Sequence, residues 1–546
     1  MGRLMSQTEA SGPPGRGRAG NFFASPGFLF VAIMVASLAV RMPLLNIPLE
    51  RDEGEYAYIA WRMGAREIPY RDWVDQKPPG VFWVYRAALA LPLEPVRAIH
   101  LVGALFAAAS AATLFLLARR FLGTFWAVSA GMSLGLFSAD LTVQGNAANT
   151  EIFMQLPLLL SQLALFAAAG ATRHRRRFMV LCGALAGLAA LFKQVAALDW
   201  VFFATVYPLL CDREKRGRKT LEFAAWSAGG ALFLWGAVLV WFLLQNAGHE
   251  FIYNVLLHNL DYVAGLPAAY RLAYFKQAVA GLCKTQAMLW LFALIGGVVL
   301  LRRRQVGWFL YLLAWFVSAA VGVNASGYFF PHYFQALLPA LSMAAAIGAS
   351  GLERLTGWAA APGWGLRGTL LTAQALLPAL AMFPFLFRYT PKEAVRAIYP
   401  GDAFAEMPEL GQRLAELTKA EDRVYVFGSE PEVLFYARRA SATRYIILFP
   451  LYGPYGDARE KQAAASREIA RARPAAAFYR PNELFFLPHT EQYLTSWSFD
   501  YLHQNFQADR WLGLNGDGSF QVLPATKGVA APPNIVAELM VRNPAP

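Results

Sequence analysis

The chain has 546 residues, of which 57% are hydrophobic, 14% aromatic and only 16% charged. Soluble domains carry about 25% charge, so an ordinary soluble enzyme is excluded, and the same apolar excess excludes a disordered chain. The net charge of +13 lies in short clusters between apolar blocks, at Arg119-Arg120, Arg173 with Arg175 to Arg177, Arg213 to Lys219 and Arg302 to Arg304; this is the loop asymmetry of a polytopic membrane protein, not the basic face of a nucleic-acid binder.

Residues 1–23 are rich in Gly, Pro and Arg and read as a disordered cytoplasmic N-terminus. The apolar run from Phe22 to Val40 is long enough to span a bilayer. A cleaved signal peptide is the alternative, but many similar runs follow, which favours a retained helix. Arg41 is expected to snorkel at its outer end. Further spans read as 97–118, 122–139, 151–170, 178–192, 196–210, 222–244, 281–301, 307–323, 335–351 and 368–388. With the first at 24–44 they number about eleven. The two between Phe178 and Leu210 are short, so one is a candidate re-entrant segment.

After about Arg388 charge becomes frequent and the long apolar runs stop. Helix-like stretches cover 403–419, 457–473 and 489–504, and strand-like runs cover Arg423–Phe427, Arg444–Phe449 and Ala475–Tyr479. This predicts an α/β domain over 389–546. An odd span count places it outside the cytoplasm. The cysteines Cys182, Cys211 and Cys283 lie in or beside apolar blocks without CxxC spacing, and read as small buried residues.

The first outer loop, 46–96, packs Asp52, Glu53, Glu55, Asp72 and Asp75 beside Arg51, Arg71 and Lys77. Within it Tyr56, Ile59, Ala60 and Met63 recur at i, i+3, i+4 and i+7, one apolar stripe on a short helix suited to the membrane interface. A solvated loop with a surface helix is the bland alternative. A carboxylate at this depth suits a general base or a divalent cation site, and a neighbouring lysine suits a phosphate as a compact charge. Together they suit a reaction with a lipid-linked phosphate as leaving group.

Gln144 to Glu151 forms a second polar cluster, with Asn149 or Thr150 as a helix N-cap. Glu151 is either a second acidic group of the same cavity or a first-turn carboxylate on a helix dipole; Asp140 is a weaker candidate. Lys193 interrupts an apolar stretch, so it is either functional or a snorkelling lysine, and Asp199 shares that ambiguity. Two further polar segments carry His258 and the His332-Tyr333 pair. They read as possible metal or substrate groups or as aromatic-belt residues, and no HExxH spacing is present. The GxxxxGK[ST] nucleotide fingerprint is absent.

Asp52-Glu53, the Tyr-rich helix, Pro69-Tyr70-Arg71-Asp72, Asp75-Gln76-Lys77-Pro78-Pro79-Gly80, Asn149-Thr150-Glu151, Phe192-Lys193-Gln194 and Pro331-His332-Tyr333-Phe334 together resemble the PMT-type GT-C glycosyltransferases. That family includes the dolichyl-phosphate-mannose protein mannosyltransferases and the lipid A aminoarabinose transferases. The resemblance spans 24–388, the predicted catalytic membrane domain, and implies sugar transfer from a polyprenyl-phosphate donor outside the cytoplasm, usually with inversion, to a glycan, lipid or protein acceptor. It implies catalytic roles for Asp52, Glu53 and Glu151, and donor-phosphate contacts for Lys77, Lys193 and Arg71. Tyr56, Asp75, His258, His332 and Tyr333 become candidate substrate contacts. Some relatives bind a metal through a residue just before the matched lysine and a later histidine. Gln76 stands at the first position, which puts that site in doubt and leaves Asp75 and His258 as substitutes. The WWD signature of oligosaccharyltransferases is missing. The competing readings are a transporter or flippase of lipid-linked sugars and a non-catalytic glycan-binding relative.

Overall fold

A computed structural model describes residues 22–211, 216–264, 266–355, 364–453, 455–481, 491–526 and 529–544. The expected N-terminal disorder over 1–21, part of the basic cluster Arg213 to Lys219 and the start of the 489–504 stretch lie outside them. In chain order the helices are α1 (Pro26–Arg41), α2 (Arg51–Met63), α3 (Gly80–Ala88), α4 (Pro95–Ala118), α5 (Thr124–Phe137), α6 (Thr150–Gly170), α7 (Arg175–Ala190), α8 (Ala197–Leu210), α9 (Arg216–Leu244), α10 (Gly248–Ile252), α11 (His258–Ala264), α12 (Ala268–Arg302), α13 (Val306–Asn324), α14 (Leu338–Leu355), α15 (Trp364–Phe387), α16 (Pro391–Ile398) and α17 (Met407–Leu417). They are followed by β1 (Arg423–Phe427), α18 (Pro431–Ala437), β2 (Ala440–Ser441), α19 (Ala458–Ala472), β3 (Ala476–Tyr479), α20 (Tyr493–Asn505), β4 (Phe506–Leu514), β5 (Phe520–Pro524) and β6 (Ile535–Arg542).

Every segment read as a span is helical. Among the described residues, eight helices are long and apolar enough to cross a membrane, while Thr124–Phe137 and Gln194–Leu210 are shorter apolar helices. The protein is a multi-pass membrane protein. Two compact units divide the chain: Met1–Leu45 with His100–Val238 and Ala268–Arg388, and Asn46–Ile99 with Leu239–Pro267 and Tyr389–Pro546.

The first unit is a helix bundle whose crossings use small residues, as lipid-solvated helices must where apolar burial supplies no driving force. A Cβ on Gly183 of α7 would sit 1.7 Å from the Ser227 carbonyl oxygen of α9, and one on Gly348 of α14 would sit 2.1 Å from that of Phe292 of α12. Arg41 does not snorkel. It is 3% exposed and donates to the carbonyl oxygens of Ser138 and Gly145, closing the C-terminal end of α5. Bonds to two buried carbonyls inside the bundle replace the water it would otherwise seek. Cys182 and Cys211 are buried as expected, but Cys283 is exposed on α12.

The second unit holds a six-stranded sheet of order β2-β1-β3-β6-β4-β5. β1 pairs parallel with β2 and β3, and β6 and β4 continue antiparallel. Tyr425, Phe427, Leu448, Ile469, Leu502 and Phe506 share its core. Arg444–Phe449 is a loop rather than a strand. Ile446 and Leu448 are buried, but the backbone there bonds to side chains: Arg444 N–H to Glu468 and Leu448 N–H to Ser429 Oγ. Three C-terminal strands without a strong apolar alternation complete the sheet in its place.

Candidate functional site

Helix α2 begins with a capping box. Glu50 accepts from the backbone N–H groups of Asp52 and Glu53 at 3.1 and 3.2 Å, and Glu53 Oε2 accepts from Glu50 N–H at 3.4 Å. Both orphan ends of the first turn are thus satisfied within the motif. Burial and the neighbouring Asp52 and Glu53 push Glu50 well above the usual carboxylate range. Glu53, 0% exposed, belongs to this cap.

The helix is not a half-exposed interfacial one. Every residue from Glu53 to Ala60 is buried, including those opposite the Tyr56–Ile59–Ala60 stripe, because α3 covers one side and α18 another. A Cβ at Gly54 would meet the Glu432 backbone nitrogen at 2.8 Å, so the close approach of α18 requires glycine there.

Asp52, Glu55 and Tyr56 fall at i, i+3 and i+4, hence on one face. The loop from 64 to 79 brings Lys77 to that face. Arg62 pairs with Glu67, which also accepts from Trp73 Nε1 at 2.6 Å. Tyr70 takes a left-handed backbone (φ +71°), packs its ring on Phe82, Phe242 and Phe251, and donates its hydroxyl to the Lys77 carbonyl at 2.7 Å. Asp75 Oδ1 accepts from Lys77 N–H at 2.9 Å. Lys77 Nζ then lies 2.8 Å from Tyr56 Oη and 3.4 Å from Asp52 Oδ2. Burial keeps the Tyr56 phenol protonated, so its oxygen accepts from the ammonium.

Carboxylates outnumber ammonium groups here. Glu55 and Asp75 are 2% and 1% exposed, and each has one side-chain oxygen without a hydrogen-bond partner. Burial, then Asp75 and Asp52, raise Glu55 well above the carboxylate range. Burial raises Asp75 to about 6 against the pull of Lys77. The arrangement therefore holds a Glu55 carboxyl biased towards its protonated form, a buried Asp75 and the Asp52–Lys77 pair.

The other expected residues lie elsewhere. Arg71 is engaged by Asp72 at 2.8 Å and by the Gln245 carbonyl at 2.9 Å. His258 follows a π-helical turn, Tyr253–Leu257, and packs on Tyr455 with ring centroids 4.4 Å apart. In the first unit, Lys193 forms a part-buried ion pair with the buried Glu151 and lies 3.5 Å above the Tyr333 ring. Lys193 thus turns inward. His332, edge-on to Tyr333, bonds Gln144 at 2.8 Å. Asn149 is the N-cap of α6 but makes no capping bond, and both of its amide atoms are buried without a partner. Asp140 is absorbed structurally by Thr142, Thr285 and Gln286. An apolar groove of about 920 Å³ runs between α12 and α13, lined by Leu272, Phe275, Leu291, Phe316 and Phe334 with Arg271 among them.

The metal position implied by the resemblance does not fit these residues. The Gln76 carbonyl accepts from Asn259 Nδ2 at 3.0 Å. His258 packs on Tyr455, and the charges acting on it are those of Lys461 and Asp457. Burial and the Lys461 ammonium lower His258 to about 4, and an ammonium beside an imidazole opposes a second cation. Among the described residues no group of three or more His, Cys, Asp or Glu side chains is arranged to hold a metal.

Sequence reasoning gave no role to Glu50 or Tyr70. The capping spacing from Glu50 to Glu53 was a legible signal for the first, and nothing in the sequence marks the left-handed turn at Tyr70.

Residues 76–242 match the family model described as dolichyl-phosphate-mannose-protein mannosyltransferase. The structure is similar to that of ArnT from Cupriavidus metallidurans bound to undecaprenyl phosphate, with TM-score 0.58 and 18% identity over 92% of this chain and 98% of that one. The apo form of ArnT gives TM-score 0.58 and 18% identity over 94% and 97%. The archaeal oligosaccharyltransferase AglB from Archaeoglobus fulgidus, in complex with an inhibitory peptide and a dolichol-phosphate, gives TM-score 0.52 and 13% identity over 96% and 77%. No curated protein matches the chain. The fold is accordingly that of an α-helical polytopic membrane protein of the GT-C type, with a C-terminal sheet.

Proposed function

We propose that the protein is a membrane glycosyltransferase that moves a sugar from a polyprenyl-phosphate donor to an acceptor hydroxyl on the outer face of the cytoplasmic membrane, with inversion. The observation that carries this reading is the Asp52–Lys77–Tyr56 cluster on the loop after the first span. It is supported by the family-model match beginning at Gln76 and by undecaprenyl phosphate and dolichol-phosphate in proteins of the same fold. Basic clusters at alternate span ends support a cytoplasmic N-terminus and an extracytoplasmic terminal region.

In this mechanism Asp52 accepts, or orients through a hydrogen bond, the proton of the acceptor hydroxyl. The hydroxyl oxygen attacks the anomeric carbon, and the bond to the phosphate oxygen breaks. The donor phosphate, on binding, takes the Lys77 ammonium from its resting partners Asp52 and Tyr56 and keeps it as the leaving group. That exchange also releases Asp52 to act as base. Tyr56 and Tyr70 hold the lysine in place before the phosphate arrives. Glu53 contributes through the helix cap. The Glu151–Lys193 pair and Tyr333 form a second polar centre for substrate groups, and the groove along α12 offers apolar surface to the prenyl chain.

The test is turnover of undecaprenyl-phosphate monosaccharides, radiolabelled in the sugar, by purified protein in nanodiscs with the host envelope fraction as acceptor. An enzyme releases undecaprenyl phosphate, whereas a flippase moves the lipid intact. Asp52→Asn should lower turnover by about 10²–10⁴-fold. Full activity in a normally inserted Asp52→Asn protein refutes the assignment.

A further inference from the structure

The role of residues 389–546 is not explained by the chemistry above. Yet within the second unit this region is bonded to both arms of the Asp52–Lys77 pair. On the α2 arm, Arg51 Nε donates to the Ser429 carbonyl at 2.7 Å, its guanidinium lies 3.4 Å from Asp402 Oδ1 and its Cζ 5.7 Å from the Phe404 ring. Leu49 N–H donates to Tyr436 Oη at 2.9 Å, Ser441 N–H donates to Tyr58 Oη at 2.8 Å, and Gly54 touches the Glu432 backbone. On the loop arm, Val74 N–H donates to the Arg444 carbonyl at 3.1 Å, three residues before Lys77.

We propose that the terminal α/β region is the positioning scaffold of the reaction centre, fixing the separation of Asp52 and Lys77, with Arg51 as its principal positioning residue. The partners on α2 lie at 51, 54 and 58, on faces other than that of Asp52 and Tyr56, so they orient the helix without entering the site. Ser429 sits in the turn between β1 and α18, and Ser441 is in β2, so the sheet edge itself is the reference frame. A rigid strand edge holds a catalytic helix more closely than a membrane loop can. A displacement of about 1 Å at a reacting group costs on the order of 10²-fold in rate.

The inference rests on the reading of Asp52 and Lys77 above. Its test uses the full-length protein in nanodiscs with the same radiolabelled undecaprenyl-phosphate donors. Arg51→Ala should lower kcat by tenfold or more while donor KM changes less than threefold, and Arg51→Lys should restore part of the loss. The control is Arg413→Ala, which breaks the Arg413–Asp509 pair inside the terminal region without touching α2. It should lower thermal stability and leave kcat unchanged. In parallel, amide exchange over residues 51–63 should accelerate in Arg51→Ala and not in Arg413→Ala. Wild-type kcat in Arg51→Ala, or unchanged exchange over α2, overturns the scaffold role. An inactive Asp52→Asn beside a fully active Arg51→Ala refutes the scaffold alone, whereas a fully active Asp52→Asn refutes the enzymatic reading.

Discussion

Asp75 is a carboxylate placed where solvent cannot reach it, and the cost of that placement can be measured. Its side chain is 1% exposed, Oδ2 has no hydrogen-bond partner, and burial raises its pKa from 3.8 to about 6. The folded protein therefore holds the proton over a range where the unfolded chain has released it. Below about pH 4 both states are largely protonated and the group is neutral towards stability. Between about 4 and 6 the unfolded state gains ionisation that the folded state resists, and above 6 the full penalty applies. A shift of about 2 units corresponds to about 3 kcal/mol. Asp75→Asn keeps an oxygen for the Lys77 N–H and removes the charge. Its melting temperature should therefore rise relative to the parent at pH 7.5 and differ little at pH 4. At about 1 °C per kcal/mol for a chain of this length, the gain at pH 7.5 is about 3 °C. The assay is thermal unfolding in one detergent at one scan rate, since unfolding of such a protein is under kinetic control. An equal shift at both pH values, or stabilisation only in acid, refutes the account of a buried, desolvated carboxylate.

Lys77→Met should raise donor KM and lower kcat/KM by about 10²-fold or more, read with the same radiolabelled donor; an unchanged dependence on donor removes the phosphate role. Breaking the part-buried Glu151–Lys193 pair on one side, by Lys193→Met or Glu151→Gln, should destabilise by about 1–3 kcal/mol because it leaves the other partner unsatisfied, whereas the double variant should recover much of that loss. Additive losses in the thermal midpoints would show that the two groups do not act as a pair.

The amino-acid sequence by itself determined the membrane architecture. Long apolar runs have one low-energy solution in lipid, a helix with every backbone group satisfied internally, and all the segments read as spans are helices. It also made α2, β1, β3 and α19 legible, because capping residues and local periodicity act over a few residues. The tertiary structure decided what long-range partners control. Arg444–Phe449 has strand-like residues but loses its ladder to Glu468 and Ser429, while β4 to β6 form because β3 offers an edge. Arg41 reads as a snorkelling residue until two carbonyls 97 and 104 positions away are folded against it. The candidate site divides along the same line. Asp52 and Lys77 are visible as charged residues in an apolar chain. That Tyr56 and Tyr70 hold the lysine, that Glu53 is a cap, and that Glu55 and Asp75 are buried depends on residues distant in sequence. Burial and partner geometry set the charge and position of each group, and neither is a property of a short segment.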